Sequence, residues 1–210
     1  MKNNENGRSM VEMLGVLAII GVLSAGGLAG YSKAMFKHKL NTTMDQITML
    51  VTNIRTAYGA QGSYSSLSVA GARKLGAIPA VMGTSDTLTN PFKGSVTLNG
   101  SAVAAEGGAT GTAFTVSYAG LPTEACIALA TADFGSGAGS GFIGVVVGTA
   151  AEGTNNDVYI AQGSGRNAIA GENGRNASSG RGEGEAYSMS AAITACKATN
   201  NNATITWKFY

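Results

Sequence analysis

The stretch "GRSMVEMLGVLAIIGVLSAGGLAGY", residues 7–31, is an apolar run of membrane length that keeps one acidic residue near its start. Across residues 9–32 the only charged side chain is that of Glu12. As a helix, residues 13–31 would span about 28 Å, close to the hydrocarbon core of a bilayer. A carboxylate inside a membrane helix costs on the order of 2–3 kcal/mol. Glu12 is therefore the residue whose presence requires a functional explanation.

A secretory signal peptide is the alternative interpretation of this stretch, with Lys2 and Arg8 as its positive region. The apolar run is longer than a usual signal core, contains an acid and leads directly into further helical pattern. These features favour a helix that stays in the protein and crosses a membrane.

The helical pattern continues beyond the apolar run, with apolar residues at spacings of four and three. These residues are Leu40, Met44, Ile47, Val51, Ile54 and Tyr58. No proline interrupts the pattern, and Gly59 and Gly62 end it. We predict one helix of about 50 residues, roughly 75 Å long. Its first half, 8–34, is apolar all round, and its amphipathic half, 35–59, packs on a globular head formed by 60–210.

Patterns in the head predict an α+β fold with an antiparallel sheet. Helices are predicted over 69–75, 121–134 and 185–198, and strands over 94–100, 113–120, 141–148, 157–162 and 202–210. Fourteen glycines lie in the range 135–184, which predicts surface loops. An imperfect nine-residue repeat there, "GRNAIAGEN" and "GRNASSGRG", lacks the aspartates of a calcium-binding roll and the aromatics of an RNA site, so a solvated loop is favoured.

Composition and single residues give no sign of catalysis. The net charge of +2 is too small to indicate nucleic acid as a primary partner. His38, the one histidine, lies between Lys37 and Lys39, and no catalytic set of residues or metal-ligand spacing surrounds it. We predict a protein that is not an enzyme and uses no metal or cofactor.

The two cysteines, Cys126 and Cys196, either form a disulfide or are two buried free thiols. A disulfide would close a loop of roughly 70 residues, contribute about 4 kcal/mol in the chain-entropy model, and require an oxidising compartment. The charge pattern predicts the opposite location for the head. Lys33, Lys37 and Lys39 follow the apolar run, and by the positive-inside rule they would place the C-terminus in the cytoplasm, which is not an oxidising compartment.

The N-terminal residues resemble the prepilin signature of type IV pilins and pseudopilins. Gly7 is followed by Arg8, "SMV", Glu12 and an apolar helix. The resemblance implies that a membrane peptidase cuts after Gly7, removing a leader of residues 1–7, and methylates the new amine of Arg8. It also implies that Glu12 pairs with the Arg8 amine of a neighbouring subunit during assembly.

Parts of the head are similar to the larger type IVb pilins: "NPFKG" at 90–94, "FTVSYAGLPTEAC" leading to Cys126, and a second cysteine near the C-terminus. The resemblance implies a Cys126–Cys196 disulfide that brackets the glycine-rich loops and places the head outside the cytoplasm. It further implies a long N-terminal helix packed on an antiparallel-sheet head.

The implied function is that of a structural subunit of a type IVb-like pilus, an extracellular homopolymer that serves adhesion and aggregation. Before assembly such a subunit resides in the bacterial inner membrane. Its partners there are the prepilin peptidase and an assembly platform driven by an ATPase. A pseudopilin of a type II secretion or DNA-uptake apparatus is the alternative, and a membrane-anchored binding module that never polymerises is a third hypothesis.

Overall fold

The computed structural model describes residues 6–83, 85–102, 104, 109–135, 141–147, 188–197, 199 and 201–210. The helices are α1 (Asn6–Gly59), α2 (Val69–Lys74), a 3₁₀ helix (Ala80–Met82), α3 (Thr123–Ala130) and α4 (Met189–Lys197). The strands are β1 (Leu88–Thr89), β2 (Ser95–Ala102), β3 (Ala113–Leu121), β4 (Phe142–Val147) and β5 (Ala203–Phe209). The predicted α+β class with an antiparallel sheet is confirmed.

Helix α1 is continuous over 54 residues, as its unbroken apolar pattern predicts. It ends at Gly59, where the backbone N–H of Gln61 donates to the carbonyl of Tyr58 and Gly62 adopts a φ of 67°. The chain divides into two units, Met1–Asn41 and Thr42–Tyr210. The division falls within α1, so the C-terminal part of this helix belongs to the same unit as the head.

The amphipathic part of α1 supplies core residues to the head. Four members of the predicted stripe are buried: Ile47, Val51, Ile54 and Tyr58. Leu50, which the four-and-three spacing did not include, is fully buried as well. Burying a side chain of this size stabilises the fold by about 1.5–3 kcal/mol relative to leaving it exposed. The stripe is therefore a main attachment of the helix to the head.

The sheet has the strand order β1-β2-β3-β5-β4, and every neighbouring pair is antiparallel. The C-terminal strand β5 thus lies between β3 and β4. On one face, buried apolar side chains stand opposite each other across β3 and β5: Phe114 and Phe209, Val116 and Trp207, Tyr118 and Ile205. This face is the core side of the sheet.

Aromatic rings connect α1 to this core side. The ring of Tyr58 lies 6.5 Å from that of Tyr64, and the ring of Tyr64 lies 4.7 Å from that of Phe114. Phe114 in turn stacks on Phe209 with 5.8 Å between ring centroids. Such pairs contribute about 0.5–1.5 kcal/mol each beyond the area they bury. The rings extend the helix attachment into the middle of the sheet.

The opposite face of the same strands carries polar side chains that are also buried. Thr115 is paired in register with Lys208, and Ser117 with Thr206. The hydroxyl oxygens of Ser117 and Thr206 lie 2.7 Å apart and share a hydrogen bond. Burial lowers the pKa of Lys208 from its ordinary 10.5 to about 8. The centre of the sheet is therefore buried on both faces, one apolar and one polar.

The "NPFKG" segment forms the turn between β1 and β2, and Asn90 organises it. The side-chain oxygen of Asn90 accepts hydrogen bonds from the backbone N–H groups of Phe92 and Gly94, and its amide donates to the carbonyl of Ala119. A Cβ on Gly94 would lie 1.7 Å from that same carbonyl oxygen. Only glycine fits at this position, so the turn is locked against β3.

The structure differs from the sequence predictions at two places, and some predictions fall on residues outside the description. The helix predicted over 121–134 ends at Ala130, where the Thr131 hydroxyl donates to the carbonyl of Ile127. Strand β1 was not predicted, because its two residues are too few to show alternation. The predicted strand 157–162, the nine-residue repeats and the first residues of the helix predicted over 185–198 lie outside the described residues.

Candidate functional site

The first half of α1 presents an apolar surface that the described chain leaves uncovered. Twelve large hydrophobic side chains between Met10 and Tyr31 are each at least 52% exposed. The largest apolar patch on a typical soluble monomer is about 300–600 Å², and a helix that exposes apolar side chains on all sides for six turns exceeds this. Lipid or other protein chains must cover this surface in the functional state.

Length and composition agree with that conclusion. Within the described residues, one helix is long and apolar enough to cross a membrane, over Met10–Gly59, and its most apolar 18-residue window has a mean hydropathy of 2.1. As far as the described residues show, none of that window is buried. A core helix of a soluble protein would be mostly buried, so the apolar half is not an internal core element.

Glu12 is exposed on this apolar half, in its first turns. Helix α1 begins at Asn6, so Gly7 and Arg8 are helical residues of the uncut chain. Positions 8 and 12 are four residues apart, which places them on one face of the helix, one turn from each other. The predicted cut after Gly7 would leave the new amine about one turn from Glu12 on the same helix.

Cys126 and Cys196 form a disulfide with their Cα atoms 5.9 Å apart, so the predicted bond is confirmed. Cys126 lies on α3 and Cys196 on α4, and both are fully buried. The bond fastens the two helices at positions 70 residues apart in sequence. In sequence, the glycine-rich range 135–184 falls between the two cysteines, as the family resemblance implied.

A cleft of about 510 Å³ lies at the C-terminal end of α1, and it is the natural place to look for small-molecule chemistry. Its lining is formed by Thr52, Arg55, Thr56, Gly59, Tyr64 and Tyr210. Burial raises the pKa of the Tyr64 phenol, and the positive charge of Arg55 partly offsets that rise. Among the described residues that line the cleft there is no acidic side chain, imidazole or thiol, which are the usual general bases and nucleophiles.

The described part of the chain also contains no candidate metal site. Across those residues, no group of three or more His, Cys, Asp or Glu is placed to hold a metal ion. The described features that the sequence singled out are the apolar half of α1, Glu12 within it, and the disulfide of the head.

A long N-terminal helix with an uncovered apolar half, an antiparallel head that packs on its second half, and a disulfide near the C-terminus together define a type IV pilin. The family model described as bundlin matches residues 33–176. The chain belongs to the bundlin family. The match begins after the apolar run, so the signature at residues 7–12 is a separate observation.

The chain is also similar to individual pilus proteins. Two relatives named "Major structural subunit of bundle-forming pilus", from Escherichia coli O127:H6 (strain E2348/69 / EPEC) and O111:H-, are each 28% identical over 139 residues. These matches cover 65% of this chain and 69% of the relative. The crystal structure of TcpA, a type IV pilin from Vibrio cholerae El Tor biotype, has a TM-score of 0.51 at 13% identity and covers 82% of this chain and 99% of that chain. At this low identity, the similarity to TcpA is a similarity of fold.

Proposed function

We propose that this pilus subunit is cut after Gly7, methylated on the new amine of Arg8, and assembled through the apolar half of α1 into an extracellular filament. The observation that carries the proposal is the uncovered apolar surface of α1 with Glu12 as its one acid. An apolar surface of this kind is covered by lipid before assembly and by other copies of the helix afterwards. The name of the Escherichia coli relatives supports the same structural role.

Glu12 sets the register between subunits in this mechanism. Cleavage converts the backbone nitrogen of Arg8 into a charged amine, which pairs with the Glu12 carboxylate of a neighbouring subunit inside the helix bundle. An ion pair in such a dry environment is costly to break from one side, typically about 3–5 kcal/mol. A helix that docks one turn too high or too low separates its amine from the Glu12 carboxylate of the neighbouring subunit, so the mechanism favours the register in which the two charges meet.

The proposed precursor has residues 1–7 as a leader, 8–34 in the inner membrane, 35–59 as the amphipathic half of the helix, and 60–210 as a head outside the cytoplasm. The Cys126–Cys196 disulfide supports this orientation, because disulfides persist in oxidising compartments. The partners would be a prepilin peptidase and an assembly platform driven by an ATPase. In the filament the head surface would serve adhesion and aggregation.

The test is a Glu12→Ala variant expressed in the native host, with Asp86→Ala as a matched loss of an exposed acid on the head. Membrane insertion is measured by resistance to carbonate extraction, and filaments are measured by shearing and electron microscopy. We expect Glu12→Ala to insert normally and to yield few or no filaments, whereas Asp86→Ala forms filaments at the wild-type level. Normal filaments from Glu12→Ala would refute the register mechanism.

The same experiment separates a pilus from the pseudopilin alternative. Long filaments composed of this chain on the cell surface are expected for a pilus subunit. A chain confined to short periplasmic assemblies would instead identify a pseudopilin.

A further inference from the structure

We propose that Lys33, Lys37 and Lys39 form a basic collar that binds anionic phospholipid headgroups where α1 leaves the hydrocarbon core. The proposal rests on the membrane stage of the proposed function. It gives the precursor a second kind of lipid contact. The acyl chains of lipids surround the apolar half of α1, and anionic headgroups bind the collar.

The first argument is the position of the collar along α1. Residues 13–32 carry no charge and span about 30 Å as a helix, which equals the thickness of the hydrocarbon core. Glu12 lies at one end of this span and Lys33 at the other. Tyr31, which is 64% exposed, lies just inside Lys33, at the depth where tyrosine rings are enriched in membrane proteins. The collar therefore begins where the headgroups begin.

The second argument is the arrangement of the lysines on the helix. From Lys33 to Lys39 the helix rises about 9 Å, similar to the polar layer of about 5–8 Å on each side of a bilayer. Lys33 and Lys37 are one turn apart on the same face, and both are exposed. Lys39, which is half-buried, is rotated by about 200° from Lys37. Charges on both sides of the helix fit a headgroup layer that surrounds it rather than a surface along one side.

The third argument is charge. In the sequence no acidic residue occurs between Glu12 and Asp45, so the collar region of α1 has a positive excess of three. A basic residue close to an anionic membrane surface gains about fivefold in binding over a neutral one, and added salt screens this gain. Zwitterionic lipids offer no comparable net charge. The collar therefore selects anionic lipids at the helix boundary.

The experiment measures lipid selectivity of the full chain reconstituted in bilayers that mix phosphatidylglycerol with phosphatidylcholine. Electron paramagnetic resonance of spin-labelled lipids gives the association of each lipid with the protein boundary. The test variant is Lys33→Gln/Lys37→Gln/Lys39→Gln. The control variant, Lys74→Gln/Lys93→Gln/Lys197→Gln, removes the same charge from exposed lysines of the head. Carbonate extraction establishes insertion for each protein.

We expect the wild type and the control variant to prefer phosphatidylglycerol several-fold and the collar variant to show a ratio near one. High salt should abolish the preference. Inorganic phosphate should reduce the preference for phosphatidylglycerol no more than chloride does at equal ionic strength. A loss specific to phosphate would instead identify a site for free phosphate and overturn the collar. An inserted wild type without preference, or an inserted collar variant that keeps it, overturns the collar and leaves the proposed function intact. A wild type that fails to insert overturns both.

Discussion

Ser117 and Thr206 face each other across β3 and β5, with their hydroxyl oxygens 2.7 Å apart on the buried polar face of the sheet. Both side chains are at most 6% exposed. A buried hydroxyl that loses its partner costs more than a hydrogen bond contributes on average, because its desolvation is then uncompensated. The two residues are therefore energetically coupled.

Thr206→Val should destabilise the head by about 1–3 kcal/mol, because valine keeps the shape of threonine and leaves the Ser117 hydroxyl without this partner. Ser117→Ala/Thr206→Val should be less destabilised than the sum of its single changes. Urea unfolding in detergent provides the measurement, with fluorescence of buried Trp207, the one tryptophan of the sequence, as the probe. Strictly additive effects would show that the two hydroxyls are not coupled.

Loss of the disulfide should lower the free energy of unfolding by about 4 kcal/mol, because a loop of about 70 residues is released in the unfolded chain. Cys126→Ala/Cys196→Ala and the reduced wild type should show similar losses in urea unfolding. The reductant should leave the double variant unchanged, which controls for direct effects of the reagent. A loss under about 1 kcal/mol would mean that the packing of α3 against α4 holds the fold without the bond.

Stability of the head should increase as the pH rises from about 8 to 10.5. The pKa of Lys208 is lowered to about 8 by burial, so in this window the unfolded chain, with its ordinary pKa of 10.5, binds more protons than the folded chain. The rise attributable to Lys208 is on the order of 1–3 kcal/mol. It is measured as the difference in free energy of unfolding between the wild type and Lys208→Met at each pH. A difference that is flat across the window would contradict this assignment.

Mass spectrometry of protein from the native host should find a mature N-terminus at methylated Arg8. A Gly7→Leu variant is expected to keep residues 1–7 and to remain in the membrane without forming filaments, because the amine proposed to pair with Glu12 would not be made. Recovery of filaments with an intact Met1 would refute the role of cleavage in assembly.

Much of α1 was predictable because its signals are local. The spacing of Ile47, Val51, Ile54 and Tyr58 predicted which face is buried, and the glycines after Tyr58 predicted where the helix ends. The four main described strands were also found by alternation and β-branched content. Strand order was not predictable, since the pairing of β5 with both β3 and β4 depends on contacts far apart in sequence.

The buried state of Lys208 was likewise invisible in the sequence. In "NATITWKFY" the alternation places Lys208 on one face of the strand and Trp207 and Phe209 on the other. A lysine on the face away from the apolar residues is normally exposed to solvent. Its burial depends on tertiary contacts that alternation does not encode. The candidate site shows the converse, because Glu12 stands out in sequence as the one acid in an apolar run, whereas the neighbouring subunit proposed to pair with it is not part of a single-chain structure.

The central place of β5 determines when the sheet of the head can be completed. Strand β5 (Ala203–Phe209) follows both β3 and β4 in sequence, yet it is the strand that joins them, and it supplies Trp207 and Phe209 to the core. The described sheet cannot be completed before β5 is in place, because β3 and β4 each pair with β5 and not with each other. A change that prevents Ala203–Phe209 from pairing would therefore eliminate the centre of the sheet rather than one of its edges.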